Sequence, residues 1–156
     1  MERAVIAKTV ADELAAATEC MVAALNNLAG PYGKVYGRCI SDLYYACFHL
    51  ASALLASSGI EVRGHEAVQK LLALHFVKPA ALPQETIARL NELMDKRHVA
   101  DYKPYISIGP EDIVALRPWI SGFVRNVLRL LDKRAPGAAV ESLLRLASQL
   151  EAARIP

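Results

Sequence analysis

Apolar residues in this chain recur at helical spacing. Val10, Leu14, Met21, Leu25 and Leu28 fall at three-, four- and seven-residue steps, so residues 1–29 predict one long amphipathic helix, ended by Gly30-Pro31. A second helix is expected over about 35–58, with Leu43, Ala46, Leu50, Ala53 and Leu54 on one face and Ser57-Ser58-Gly59 as its stop. Its apolar character marks it as the central helix. Gly64 precedes a short helix striped by Val68, Leu71, Leu72 and Phe76, which Pro79 and Pro83 punctuate. The next helix starts near Pro83, turns Ile87, Leu90 and Met94 inward, runs through Arg97 and must end before Lys103-Pro104, because the residue before a proline is pushed out of the helical region.

After the loop KPYISIGP, Pro110 followed by Glu111 and Asp112 is a good helix start, since acids favour the positive end of the helix dipole. Ile113, Leu116, Ile120, Phe123, Val127 and Leu130 continue this fifth helix, and Pro118 predicts a kink or a fresh start within it. Ala135-Pro136-Gly137 is the clearest boundary in the chain. Beyond it Val140, Leu143, Leu144, Ala147 and Leu150 stripe a sixth helix, expected to be an appendage packed on the core or on a partner. The expected organisation is one all-α domain over residues 1–135, with residues 136–156 as an appended C-terminal amphipathic helix.

Composition agrees with this pattern. Of 156 residues, 54% are hydrophobic, mostly Ala and Leu, with few β-branched strand formers. The formal charge of +2 is too small to announce a nucleic-acid protein, so any RNA site must be local. Cys20, Cys39 and Cys47 have no paired CxxC spacing, which suggests neither a disulfide framework nor a zinc site and fits a reducing cytoplasm. Charges at Glu2, Arg3, Lys8, Asp12 and Glu13 are incompatible with a signal peptide. The uncharged run Leu43 to Ile60 carries Tyr44, Tyr45, His49 and three serines, so it is expected to be a buried helix and not a membrane span.

There is no Gly-rich phosphate loop, HExxH or GxSxG, and no cofactor or metal is implied. What remains is the string RHVADY, which places Arg97, His98, Asp101 and Tyr102 within little more than a turn at a helix end. Lys103 and Tyr105 follow in the loop. An Arg fork suits phosphate, with Asp101 and Lys103 beside it as further ligand-binding groups, and His98 titrates near neutral pH. The plainer reading makes Arg97 and Asp101 an i,i+4 ion pair worth about 0.3–0.5 kcal/mol, with Tyr102 tucked into the core. His49, His65 and His75 lack metal spacing and are expected to be hydrogen-bonded core residues. Tyr44, Tyr45 and Phe48 are likewise expected to be core and not a base-stacking platform. Arg125, Arg129, Lys133 and Arg134 form a basic stripe that suits a solvated helix face near a C-terminal dipole, with an RNA-facing role as the alternative.

Several of these residues together resemble the HEPN family, in its small prokaryotic branch with a Tyr-Tyr-Ala helix and an Arg-x3-Asp-Tyr string. The matching residues are Asp42 to His49, Ala53-Leu54-Leu55, Gly59, His65, Phe76-Val77-Lys78, Arg97 and Ala100-Asp101-Tyr102, covering roughly residues 8–131. The resemblance implies a mostly antiparallel up-and-down bundle of about five core helices. It also implies a homodimer, to which the surplus of apolar helix faces also points. It further implies a frequent pairing with a minimal nucleotidyltransferase as toxin and antitoxin, and metal-independent RNA cleavage in active members. In their motif an Arg, a polar residue, a short spacer and a catalytic His succeed one another. Arg97 and His98 match the first two, but Tyr102 stands where the His should be, and a phenol with a pKa of about 10 is a poor base at neutral pH. The family also implies adenylylation of a tyrosine near the motif, for which Tyr102 and Tyr105 are the candidates. Three functions therefore stand open: a binder of RNA or nucleotide working with a nucleotidyltransferase, an active endoribonuclease toxin with Arg97, His98 and Tyr102 as catalytic residues, and a purely structural helical interaction module.

Overall fold

The computed structural model describes residues 2–29, 35–103 and 106–155. The elements are α1 (Arg3–Ala29), α2 (Tyr36–Ser57), α3 (His65–Leu72) with a π-helical turn over Ala73–Val77, α4 (Thr86–Tyr102), α5 (Pro110–Leu131) followed by a short 3₁₀ turn, and α6 (Gly137–Ala152). No strand occurs among the described residues. The protein is an all-α bundle, as its hydrophobic periodicity predicts. The expected stop at Gly30-Pro31 lies outside the described residues.

Helix α2 is the hub, packed against α1, α3, α4 and α5. Ile40, Leu43, Leu50, Leu54 and Leu55 are fully buried along it. By length and composition alone it would pass for a membrane span, yet 72% of its apolar window is buried inside the bundle, which is what a core helix requires. It ends in a Schellman motif: the Ile60 N–H bonds to the Leu55 carbonyl (3.1 Å) and the Gly59 N–H to that of Ala56 (2.8 Å). Gly59, at φ +76°, supplies the left-handed residue the motif needs.

Two proline-marked sites behave differently. At the start of α5 the Gly109 N–H donates to Asp112 Oδ2 (2.9 Å), so the carboxylate three residues into the helix reaches back and caps it. Lys96 of α4 binds the other oxygen of the same carboxylate at 2.6 Å and ties α4 to α5. Pro118, in contrast, starts no new helix: α5 runs unbroken through it. The proline leaves the Val114 carbonyl without its helical donor, and because Val114 and Pro118 are both exposed, water can satisfy it.

Helix α6 lies against α5 and α1, burying Leu143, Leu146, Ala147 and Leu150 in the common hydrophobic cluster. Polar clamps follow the same seam: Arg117 Nη1 donates to the Ala153 carbonyl (2.6 Å), Arg125 Nη1 to Glu151 (2.7 Å) and Ser121 Oγ to the Ala147 carbonyl (3.3 Å). Arg125 is thus engaged within the bundle.

Candidate functional site

The first half of α2 and the last turn of α4 meet closely, with Gly37 of α2 facing Ala100 of α4. Residues at i, i+3, i+4 and i+7 share one helix face, so Arg38, Ser41, Asp42 and Tyr45 of α2 all look toward this junction. Opposite them stand Asp101 and Tyr102, and an open cleft of about 530 Å³ lies between.

Arg97 sits beneath this cleft and does not line it. Its side chain is 15% exposed. Nη1 donates to the Tyr45 hydroxyl at 2.9 Å, and the guanidinium carbon lies 5.3 Å from the Tyr44 ring centre and 5.6 Å from that of Tyr45. The two tyrosines hold the cation through their rings as well as through the hydroxyl. Asp101 Oδ2 is 3.7 Å away, too far for a hydrogen bond, so the i,i+4 ion pair exists only as a loose one. Asp101 instead accepts from Ser41 Oγ at 3.3 Å. Arg97 Nε is buried with no hydrogen-bond partner among the described residues.

A second polar link lies behind Arg97. The Tyr44 hydroxyl and His65 Nδ1 are 2.6 Å apart. Burial, aided by Arg97 and His49, holds the His65 imidazole below its usual pKa, while burial pushes the Tyr44 phenol up to about 12. At neutral pH the phenol therefore donates to a neutral His65. Phe48 packs on the same imidazole, with ring centres 4.4 Å apart. In the cleft, burial raises the Asp42 carboxyl pKa, opposed by a 2.9 Å hydrogen bond from Asn27 Nδ2 and by the charge of Arg38, while the Asp101 charge adds to the rise.

The structure gathers some of the expected site residues and separates others. Arg97, Asp101 and Tyr102 surround one junction. Tyr102 is not tucked into the core: it is 64% exposed on the cleft rim, because α4 ends there and no element among the described residues covers it. His98 is exposed on α4, its ring 4.9 Å from that of Tyr102. Lys103 caps α4, its N–H bonding to the Val99 carbonyl at 2.9 Å, and its own carbonyl accepts from the Ile106 N–H at 3.0 Å. Tyr105 lies outside the described residues. Of the histidines expected in the core, His49 and His65 are half-buried and paired, His49 with Glu13 at 2.7 Å, whereas His75 is exposed on the π-helical turn. No group of three or more His, Cys, Asp or Glu able to hold a metal occurs among the described residues.

Tyr45, Ser41, Asp42 and Arg38 are the residues that reading the motif alone misses. A signal for them existed in the sequence: charged and hydroxyl groups at helical spacing on an otherwise apolar helix must face something other than the core. Tyr44 is core, as expected, and Tyr45 is half-buried with its hydroxyl at the site.

Comparison with known proteins identifies the family. The HEPN domain model matches residues 13–133, from within α1 to the turn after α5, and leaves α6 outside. A UPF0332 protein from Archaeoglobus fulgidus is 25% identical over 99 residues, covering 64% of this chain and 78% of that protein. A UPF0332 protein from Pyrococcus horikoshii is 50% identical over 38 residues, a match that covers 24% of this chain and 27% of that protein. With the family model spanning most of the bundle, including both helices that form the cleft, this chain belongs to the HEPN domain family.

Proposed function

We propose that this HEPN-family protein binds RNA or a nucleotide in the cleft between α2 and α4, acting as a homodimer with a minimal nucleotidyltransferase in a toxin–antitoxin type pair. The observation that carries the reading is the cleft itself. It sets an exposed cation (Arg38), an exposed aromatic face (Tyr102) and oriented oxygens (Ser41, Asp42, Asp101) around a space in the size range of small-ligand sites. Those are the groups a nucleotide uses: phosphate to guanidinium, base to ring, polar edge to hydroxyl and carboxylate. Arg97 supports the cleft from below by fixing the Tyr45 hydroxyl.

Tyr102 is the acceptor favoured for nucleotidyl transfer, because its side chain stands at the rim of an exposed helix end. In that step the phenol oxygen attacks the α-phosphorus of a nucleoside triphosphate, the phenolic proton leaves to solvent and pyrophosphate departs. Fluorescence anisotropy with short single-stranded RNA tests binding, and incubation with the nucleotidyltransferase and ATP tests modification. A mass increase of one adenylyl group that Tyr102→Phe abolishes supports the reading. Absence of both RNA and nucleotide binding leaves a structural interaction module. RNA cleavage in EDTA, lost in His98→Ala, would replace the proposal with the endoribonuclease toxin.

A further inference from the structure

We infer that the cleft selects guanine, with Asp101 reading the base edge and Tyr102 stacking on its face. This inference rests on the reading of the cleft as a nucleotide site and adds the identity of the base. The polar wall of the cleft is rich in acceptors. Asp101 Oδ2 receives Ser41 Oγ at 3.3 Å and Asp42 Oδ2 receives Asn27 Nδ2 at 2.9 Å. The other oxygen of each carboxylate has no hydrogen-bond partner among the described residues. The counter-charge for Asp101 is built in: Arg97 lies 3.7 Å away, 15% exposed, with two tyrosine ring centres 5.3 and 5.6 Å from its guanidinium carbon.

A carboxylate offers two acceptors side by side and no donor. Guanine is the one common base whose pairing edge carries two adjacent donors, N1–H and the 2-amino group, so it meets a carboxylate with two parallel hydrogen bonds. Adenine and cytosine each set a ring-nitrogen lone pair beside their amino group, and uracil flanks its single N–H with carbonyl oxygens. Each of these places an acceptor against a carboxylate oxygen, which is repulsive where water is partly excluded. Tyr102, 64% exposed and backed by the His98 ring at 4.9 Å, supplies a stacking face that is indifferent to base identity. Selectivity therefore falls to Asp101, and Arg38 at the open mouth is placed for the phosphate.

The test is an NMR titration of the isotope-labelled full chain with 5′-GMP, 5′-IMP and 5′-AMP. GMP should bind roughly ten- to a hundredfold more tightly than AMP, the range for one good bidentate contact. IMP, which keeps N1–H but lacks the 2-amino group, should fall between them. Shifts should centre on Ser41, Asp42 and Tyr102. Asp101→Asn exchanges one acceptor for a donor, which matches the adenine edge, so it should bring AMP affinity level with or above that of GMP without abolishing binding. Equal binding of GMP and AMP by the native protein overturns the inference and leaves the nucleotide site standing. So does a GMP preference that survives Asp101→Asn. If none of the three perturbs the cleft at millimolar concentration and RNA is not bound either, both the inference and the proposed function fall.

Discussion

The unusual feature of this bundle is a buried guanidinium whose chief partner is a phenol, and a double-mutant cycle measures it. Arg97→Met removes charge and donors while keeping an unbranched side chain of similar length. Its raw effect is ambiguous, because losing the hydrogen bond to Tyr45 destabilises whereas relieving a cation that is 15% exposed offsets this. The coupling energy is not ambiguous. A hydrogen bond from a charged donor contributes about 1.5–3 kcal/mol. Because Tyr45→Phe retains the ring and most of the cation–π contact, the Arg97→Met/Tyr45→Phe cycle isolates the hydroxyl, with an expected coupling of about 1–2 kcal/mol. The loose 3.7 Å contact with Asp101 should give a coupling no larger than about 0.5 kcal/mol in the Arg97→Met/Asp101→Asn cycle. Urea denaturation resolves the difference, since 1–2 kcal/mol corresponds to a midpoint shift of about 0.5–1 M for a domain of this size. A coupling to Asp101 equal to or larger than that to Tyr45 would refute the reasoning and restore the simple helix-surface ion pair.

Three further outcomes follow from the packing. His65 has a pKa held below its ordinary 6.5 in the folded state, so the unfolded chain takes the proton first; stability should be full above pH 6.5 and fall as pH drops below it. Thermal denaturation across pH 7 to about 5 should show this slope, reduced in His65→Gln. Asp112, whose burial is outweighed by Lys96 and the Gly109 N–H so that its pKa lies below 3.8, stabilises above that pH and loses its effect as pH falls through it. Asp112→Asn should cost about 1–2 kcal/mol in denaturant titrations at pH 7, and an unchanged midpoint would deny the capping role. Removing residues 136–156 should leave one cooperative transition with stability lower by about 2–5 kcal/mol, since the surfaces of α1 and α5 under Leu143, Leu146 and Leu150 become exposed; loss of cooperativity would place α6 inside the folding unit.

Much of the fold was legible because its punctuation is chemical. Gly59 ends α2, α4 stops at Tyr102 just before Lys103, and Pro110 with Asp112 opens α5, the first and last for reasons confined to a few neighbouring residues. Pro118 was not legible in the same way. Whether a proline breaks a helix depends on what surrounds the freed carbonyl, and here Val114 is exposed. The site divides along the same line. Arg97 stood out because RHVADY is dense in functional groups, but its partners Tyr44 and Tyr45 sit 52 or more residues away on a helix whose aromatic residues read as core. That reading held for Tyr44 and missed the hydroxyl of Tyr45, because burial of a ring says nothing about where its polar tip ends.

Helix geometry also explains why Tyr102 and Arg97 play different parts despite their closeness in sequence. At about 100° per residue, Asp101 lies about 40° round the helix from Arg97 and Tyr102 about 140°. Arg97 faces inward onto Tyr45, and Asp101 on nearly the same side comes within 3.7 Å of it. Tyr102 is turned to the rim and is 64% exposed, with His98 beside it on the outer surface. An imidazole substituted at position 102 would inherit that outward direction. Within one chain it would therefore face solvent and not Arg97, so an arginine and a group at this position can act on one phosphodiester only if the last turn of α4 unwinds or a second copy brings its own rim alongside. The same geometry suits a tyrosine that another enzyme must reach, because an acceptor for nucleotidyl transfer has to leave the surface of its own fold.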